Sequence, residues 1–394
     1  MSSLSSNPSN ELEYRITMHP VKNGDCFFIE FFQGDNAFNM MIDSGPATAW
    51  ETLDAFLDKL SKDKKKIDIL LLTHYCADHI EGALALLEEE RYRNLVGEVW
   101  YNGLEHIAPL DWKKNNGKHK DNQRAFRRIS ERYRTYRLSR PNYEGSIAAK
   151  QSISLSLTVK AHAVKSNTEA ITNKTQRKKY GKNNEIIIDF LLPTQEKLKD
   201  LLRPFEDELV KQHATPETTD LAIEAFERLI LAPQANHHEG EIAASRPTKA
   251  DRSPANASSI SIIIRFNGYK FLFPGDAVDE DIIKALENWL KDNPNENLIF
   301  DIVKLPHHGS VKNCWELLEQ KQFRGRSYLV STDGSYYHHP SSETIDQLRK
   351  LSFDEPYTVY FNHQKIMDDY SAPRPNDNPN CTFLFQTEIK QERT

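Results

Sequence analysis

Residues 67–72, Ile-Asp-Ile-Leu-Leu-Leu, form an apolar run broken only by Asp68. A strand that is apolar on both faces suits the centre of a sheet, and the expectation is helices covering it on both sides. The run ends at Thr73-His74, and a helix is expected from Asp78 in DHIEGALALLEEE. Around this unit the first half reads as strands at 14–18, 26–32 and 38–42, with Asn23-Gly24 and Gly34-Asp35 as turns. Leu53, Phe56, Leu57 and Leu60 recur at helical spacing, and a further strand is expected at 97–101.

The second half repeats this grammar. A strand at 185–192 precedes helices at 194–213 and 218–231. SISIIIRF-NG-YKFLFPGD reads as a hairpin, because Asn-Gly supplies the two positive-φ residues of a type I′ turn. Helices at 279–291, 312–320 and 341–350 then alternate with strands at 298–305, 327–331, near 357–361 and at 381–387. This order predicts one layered α/β domain with mixed sheets over residues 14–387. Residues 1–13 read as a disordered start and 388–394 as a tail. Two insertions break the pattern, one basic and tyrosine-rich at about 104–142, the other polar at about 234–254.

The longest apolar runs are strand-length and too short to span a bilayer. The opening residues, MSSLSSNPSNELE, hold no apolar stretch to serve as a signal peptide. Cys26, Cys76, Cys314 and Cys381 lie far apart, so no disulfide framework is expected and the reading is cytoplasmic. The net charge of −6 argues against indiscriminate polyanion binding. Between Lys113 and Arg140, however, eleven Lys or Arg residues face two acids, and that local excess matters more than the total.

The chemistry is concentrated in THYCADHI, residues 73–80. His74, Cys76, Asp78 and His79 are four metal-ligand types within six residues, where a buried strand gives way to a helix. Open α/β sheets present their sites at such strand ends. Imidazole and thiolate favour a zinc-like ion, and carboxylate also accepts manganese or magnesium. Helix capping accounts for Asp78 but not for two histidines and a cysteine beside it.

These residues resemble the metallo-β-lactamase superfamily, whose signature here is His-x-His-x-Asp-His. PGDA (274–277) resembles the element supplying the bridging aspartate, Asp276, and LPHHGS (305–310) the one supplying the last histidine, from His307 or His308. NGDCFFIEF (23–31) and MIDSG (41–45) resemble the opening hairpin. In detail, together with SIAAKQSIS (146–154), NASSI (256–260) and residues 334–340, the chain looks most like the hydrolase domain of the DNA-uptake protein ComEC and its free-standing soluble relatives. The resemblance implies a four-layer αββα fold, two mixed sheets between helices, with the basic segment as a helical insertion. It also implies a divalent cofactor, Zn or Mn.

Two departures stand out. Cys76 occupies the place of the family's second histidine, either as a thiolate ligand or as a small buried cysteine. The histidine expected after the next strand has no counterpart; Asn102, Glu105 and His106 lie there. One metal position, built from Asp78, His79, Asp276 and His307 or His308, is complete; the other is not. Metal held this way lowers the pKa of a bound water towards ~7, with Asp78 orienting the nucleophile. His339 in SYYHHPS is a candidate to protonate the leaving group or bind phosphate, or else His338 and His339 cap the next helix.

The basic segment mixes Arg124, Arg127, Arg128 and Arg132 with Phe126, Tyr133 and Tyr136, and Lys178 and Lys179 belong to a second basic cluster. Guanidinium groups bind phosphates and aromatic rings accept stacked bases, so nucleic acid is the expected partner. A solvated helix face, or a docking surface for an acidic protein, uses the same residues. The leading expectation is a metal-dependent phosphodiesterase, most like a nuclease. Against it stand a hydrolase of small esters, thioesters, lactones or nucleotides, and a degenerate module that only docks a partner.

Overall fold

The computed structural model describes residues 12–34, 36–103, 106, 155–156, 158–198 and 251–392. The basic insertion at 104–142, with Arg124, Arg127, Arg128, Arg132 and Tyr133, lies outside the described residues except for His106. So do most of the 234–254 insertion, the expected helix at 218–231 and all but the start of the one at 194–213.

Three strands open the fold, β1 (Leu12–Met18), β2 (Phe27–Gln33) and β3 (Asn36–Ile42), each antiparallel to the one before. Helix α1 (Trp50–Lys62) leads to β4 (Ile67–Leu71), parallel to β3, and helix α2 (Ala77–Glu88) to β5 (Val96–Trp100), parallel to β4. A second sheet holds β6 (Lys178–Tyr180), β7 (Ile186–Leu192), β8 (Ser261–Phe266) and β9 (Tyr269–Phe273), all antiparallel. The turn between β8 and β9 has Asn267 at φ 47° and Gly268 at φ 88°, as the Asn-Gly pair predicts. Helix α3 (Asp279–Asp292) follows.

The expected strand at 298–305 is divided into β10 (Ile299–Phe300) and β11 (Ile302–Lys304). Asp301 causes the break, because its side chain accepts from the Lys270 N–H at 2.8 Å in place of a ladder carbonyl. β10 pairs instead with β12 (Arg324–Gly325), past helix α4 (Val311–Glu319). β13 (Ser327–Val330), helix α5 (Ser342–Arg349), β14 (Tyr357–Phe361), helix α6 (Gln364–Tyr370), β15 (Cys381–Phe385) and β16 (Glu388–Glu392) complete the chain. Residues 388–392, expected as tail, are therefore a strand, and the sheet begins at Leu12 rather than at residue 14. β16 pairs antiparallel with β1, Ile389 opposite Ile16, and buries Ile389 in the core.

One sheet runs β16-β1-β2-β3-β4-β5, the other β15-β14-β13-β11-β9-β8-β7-β6, and both are mixed. Between them lies one apolar layer in which Tyr14, Phe27 and Phe31 meet Phe266, Phe271 and Phe273 edge-on or tilted. Such ring pairs contribute ~0.5–1.5 kcal/mol each beyond their burial. A second layer joins α1 and α2 to the outer face of the first sheet, and a third joins α3, α4 and α5 to the outer face of the other. The result is α, β, β, α: the four-layer metallo-β-lactamase fold. The run at 67–72 is explained by it, with one correction. Ile69 and Leu71 face the opposing sheet, while Leu70 and Leu72 face the helices, so β4 is covered by helices on one side only. Among the described residues no helix is long and apolar enough to cross a membrane.

Candidate metal centre

The site forms at one edge of the two sheets, where β3, β4, β9, β11 and β13 all end. β2 starts at the same edge, being antiparallel to β3. Asp43 follows β3, residues 73–79 follow β4, Asp276 follows β9, Lys304 to His308 close β11, and Ser331 follows β13. The two sheets are tied together there, since the Ile260 N–H donates to the Thr73 carbonyl at 2.8 Å. Gly24 leaves no room for a side chain: a Cβ would stand 2.1 Å from the Asp78 carbonyl oxygen.

Oδ2 of Asp276 is the focus. The Nε2 atoms of His79, His308, His74 and His307 lie 3.3, 3.7, 3.8 and 3.8 Å from it. Each ring is oriented through its other nitrogen. Thr73 Oγ1 donates to Asp43 at 2.7 Å, so it accepts from His74 Nδ1 at 3.1 Å. His79 Nδ1 donates to Asp43 Oδ2 at 2.8 Å, and His308 Nδ1 to the Ser331 carbonyl at 2.9 Å. Asn313 spends its amide N–H groups on the carbonyls of residues 276 and 277, leaving its oxygen to accept from His307 Nδ1 at 3.1 Å. With Nδ1 donating, the Nε2 lone pairs are free to face inward.

This arrangement fits a metal ion. The buried Nε2 atoms of His74, His79 and His308 have no hydrogen-bond partner, a costly state for polar atoms unless something accepts their lone pairs. His74, His79 and Asp276 form one group of ligand atoms within 4.8 Å of each other, and Asp78, His79 and His308 form another. The charges agree. Asp25, Asp43, Asp78 and Asp276 crowd the site, and among the described residues Lys304, buried against Asp25 and 3.2 Å from Asp276 Oδ1, is the one lysine that pairs with them. Burial works to raise the Asp276 carboxyl, but His79, Lys304 and His308 outweigh it and hold it well below the usual range. Asp78 is likewise lowered to about 2, burial being overcome by His79 and His308.

Of the residues singled out in the sequence, the fold gathers His74, Asp78, His79, Asp276, His307 and His308. His308, not His307, shares a ligand group with Asp78. Both histidines sit in the left-handed region, φ 46° and 53°, a strained pair of the kind found at functional sites. Cys76 is not gathered: its thiol donates to Asn256 Oδ1 at 3.6 Å, and burial, then Asp78, pushes its pKa up. The neighbourhood after β5 is occupied structurally. The Asn102 side chain exchanges two hydrogen bonds with the Ile171 backbone. Both ring nitrogens of His106 bond to backbone, at Gly103 and Asn167. His339 stands beside His307, ring centroids 5.1 Å apart, and does not cap the next helix, whose N-cap is Ser341. Burial, then His307 and His308, holds its pKa well down.

Asp25, Asp43 and Lys304 escaped the sequence reading. Asp25 and Asp43 lay inside motifs read only as a hairpin, and Lys304 inside a strand. The available signal was a charged residue at the end of an apolar strand.

Residues 19–143 match the family model of the metallo-beta-lactamase superfamily. That superfamily consists largely of metal-dependent hydrolases, and the ligand groups above are of the kind such an enzyme needs. No curated protein matches the chain.

The titration of the site gives a first expected result. Without an ion, burial disfavours a charged His308, but Asp25 and Asp276 outweigh it and raise its pKa to about 9 from 6.5. A raised pKa stabilises the fold fully below 6.5, and the gain is lost as pH climbs through about 9. A divalent ion on Nε2 must displace that proton, so affinity should rise over the same window. Calorimetry at pH 7 in buffers of different ionisation enthalpy should detect proton release; an ion bound with none would remove His308 from the ligand set.

Proposed function

We propose that this chain is a metal-dependent phosphodiesterase acting on nucleic acid. The observation that carries the hydrolase part is the convergence of three unpartnered, buried imidazole Nε2 atoms on two carboxylates, Asp276 and Asp78. His74, His79, Asp276, Asp78 and His308 would hold the ion, Zn or Mn by donor type, and the incomplete surroundings of Cys76 and Asn102 favour one tightly held ion over two. When bound, a divalent ion supplies Lewis acidity towards a phosphoryl oxygen and acidifies a neighbouring water.

The protein's own groups divide the remaining work. Asp78 has the least buried carboxylate of the cluster, 19% exposed against 3% for Asp276, so it is the one able to reach a solvent water. Ionised at neutral pH, it can only accept hydrogen bonds and so turns a water's lone pair towards the substrate. Asp43 and Thr73 keep the rings aimed. His339, held unprotonated by burial and the neighbouring histidines, can offer a hydrogen bond to the substrate or the reacting water but does not open the reaction as an acid.

Nucleic acid as the substrate class is supported by the basic aromatic segment that holds Arg124, Arg127, Arg128, Arg132 and Tyr133, and by the ComEC-like motifs. Lys178 and Lys179, exposed on β6, stand three strands from β9, ~15 Å at ordinary strand spacing, and would serve only an extended polyanion. The test is cleavage of single-stranded DNA, RNA, bis-p-nitrophenyl phosphate and p-nitrophenyl acetate across Mg, Mn and Zn. Cleavage of the diesters is expected, with nucleic-acid affinity falling steeply as salt rises. Cleavage of the acetate alone would replace the reading with a small-ester hydrolase, and no metal uptake would leave a docking module.

A further inference from the structure

Four further rings lead out from His308 to solvent. His307 follows at 5.9 Å between centroids, His339 at 5.1 Å, Tyr337 at 6.1 Å and Tyr336 at 4.4 Å. The series begins buried and ends in two of the few large apolar side chains left in water among the described residues, Tyr337 at 65% and Tyr336 at 38% exposure. Their loop is anchored without them. The Asp333 N–H donates to the Lys22 carbonyl at 3.0 Å, Asp333 accepts from the Ser335 N–H at 2.9 Å, and Gly334, at φ 71°, fits closely against Ile366. The tip is strained: Tyr337 and His338 lie at φ 55° and 51°, where bulky L-residues rarely stand. Strain and exposed aromatic surface together, three rings out from His308, are features that packing does not call for.

We infer that Tyr337, flanked by Tyr336, is a stacking subsite for the nucleobase next to the scissile phosphodiester. This rests on the phosphodiesterase reading. An exposed phenol ring offers an apolar face and a hydroxyl at a fixed angle, and any base can stack on it, so the subsite would select planar groups over bare sugar without reading sequence. The hydroxyl is within electrostatic reach of Asp78: its own partial burial, then Tyr336, Asp78 and Cys76, raise its pKa, so it stays a donor. The ring ladder then sets the polarity of the substrate, with the phosphate at the histidines and the base outward at the tyrosines.

The test compares adenosine 5′-monophosphate with ribose 5-phosphate, by calorimetry on the metal-loaded protein and on Tyr337→Ala, Tyr337→Phe and Tyr336→Ala. Native protein should bind the nucleotide about 5- to 150-fold more tightly, the usual range for one stacked base. Tyr337→Ala should bring that ratio close to one, Tyr337→Phe should keep most of it, and Tyr336→Ala should reduce it partly. Equal affinity of native protein for both ligands, or parallel weakening of both in Tyr337→Ala, would overturn the subsite. In parallel, a dinucleoside monophosphate and its abasic analogue are offered as substrates. Cleavage of neither refutes the phosphodiesterase reading, while the binding ratio still decides the subsite; cleavage of both at equal kcat/KM refutes the subsite alone.

Discussion

Asp78→Asn is expected to fold like the native protein and to lose about 10²–10³-fold in kcat, with KM little changed, on nucleic acid and generic diester alike. The carboxylate lies 3.4 Å from His308 Nε2 and 4.0 Å from His79 Nε2, and accepts from Asn23 Nδ2 at 3.4 Å. An amide keeps this shape but loses the charge that neutralises the ion and aligns a water. The loss should fall on the chemical step because the charge acts mainly where charge develops in the transition state. Metal content must be measured alongside, with the ion saturating, so that a weakened site is not read as a slowed reaction. Cleavage at the native rate in this variant would place the activity elsewhere.

Lys304→Met should produce the second large effect, on stability. The ammonium is buried against Asp25 and Asp276, whose fields outweigh burial and raise its pKa, so it is charged at every working pH. Methionine conserves the volume and leaves two buried carboxylates short of a cation. Removing one partner of a buried ion pair costs ~3–5 kcal/mol, visible as a lower denaturant midpoint. Zn or Mn should recover part of the loss, since a bound ion restores positive charge and stabilises by mass action. A midpoint equal to native without metal would show that the ammonium is not what balances the carboxylates.

The legible parts of this protein were those encoded locally. Leu53, Phe56, Leu57 and Leu60 announced α1 by their spacing, Asn267-Gly268 announced a hairpin, and the density of ligand types at 73–80 announced a site. Asp276 and the His307-His308 pair, 196 residues or more along the sequence from THYCADHI, were found only through resemblance, because no local pattern links them to it. What stayed hidden depends on three-dimensional neighbours. The split at Asp301 needs Lys270 on the adjacent strand, and the bond of Cys76 to Asn256 was not visible in its motif. Lys304 looks like an error in an apolar strand until Asp25 and Asp276 close around it. EIKQE, the sequence of β16, carries little apolar signal for a strand, since only Ile389 enters the core.

The pairing of β16 with β1 also bears on how the chain comes off the ribosome. β1 is made more than three hundred and sixty residues before β16, and its outer edge has no partner until residues near 389 emerge. While the residues between the two strands are being made, that edge is a bare row of N–H and C=O groups beside an apolar face, the kind of surface that recruits chaperones or misassociates. A fragment stopped at residue 387 would keep every proposed ligand yet carry the open edge permanently.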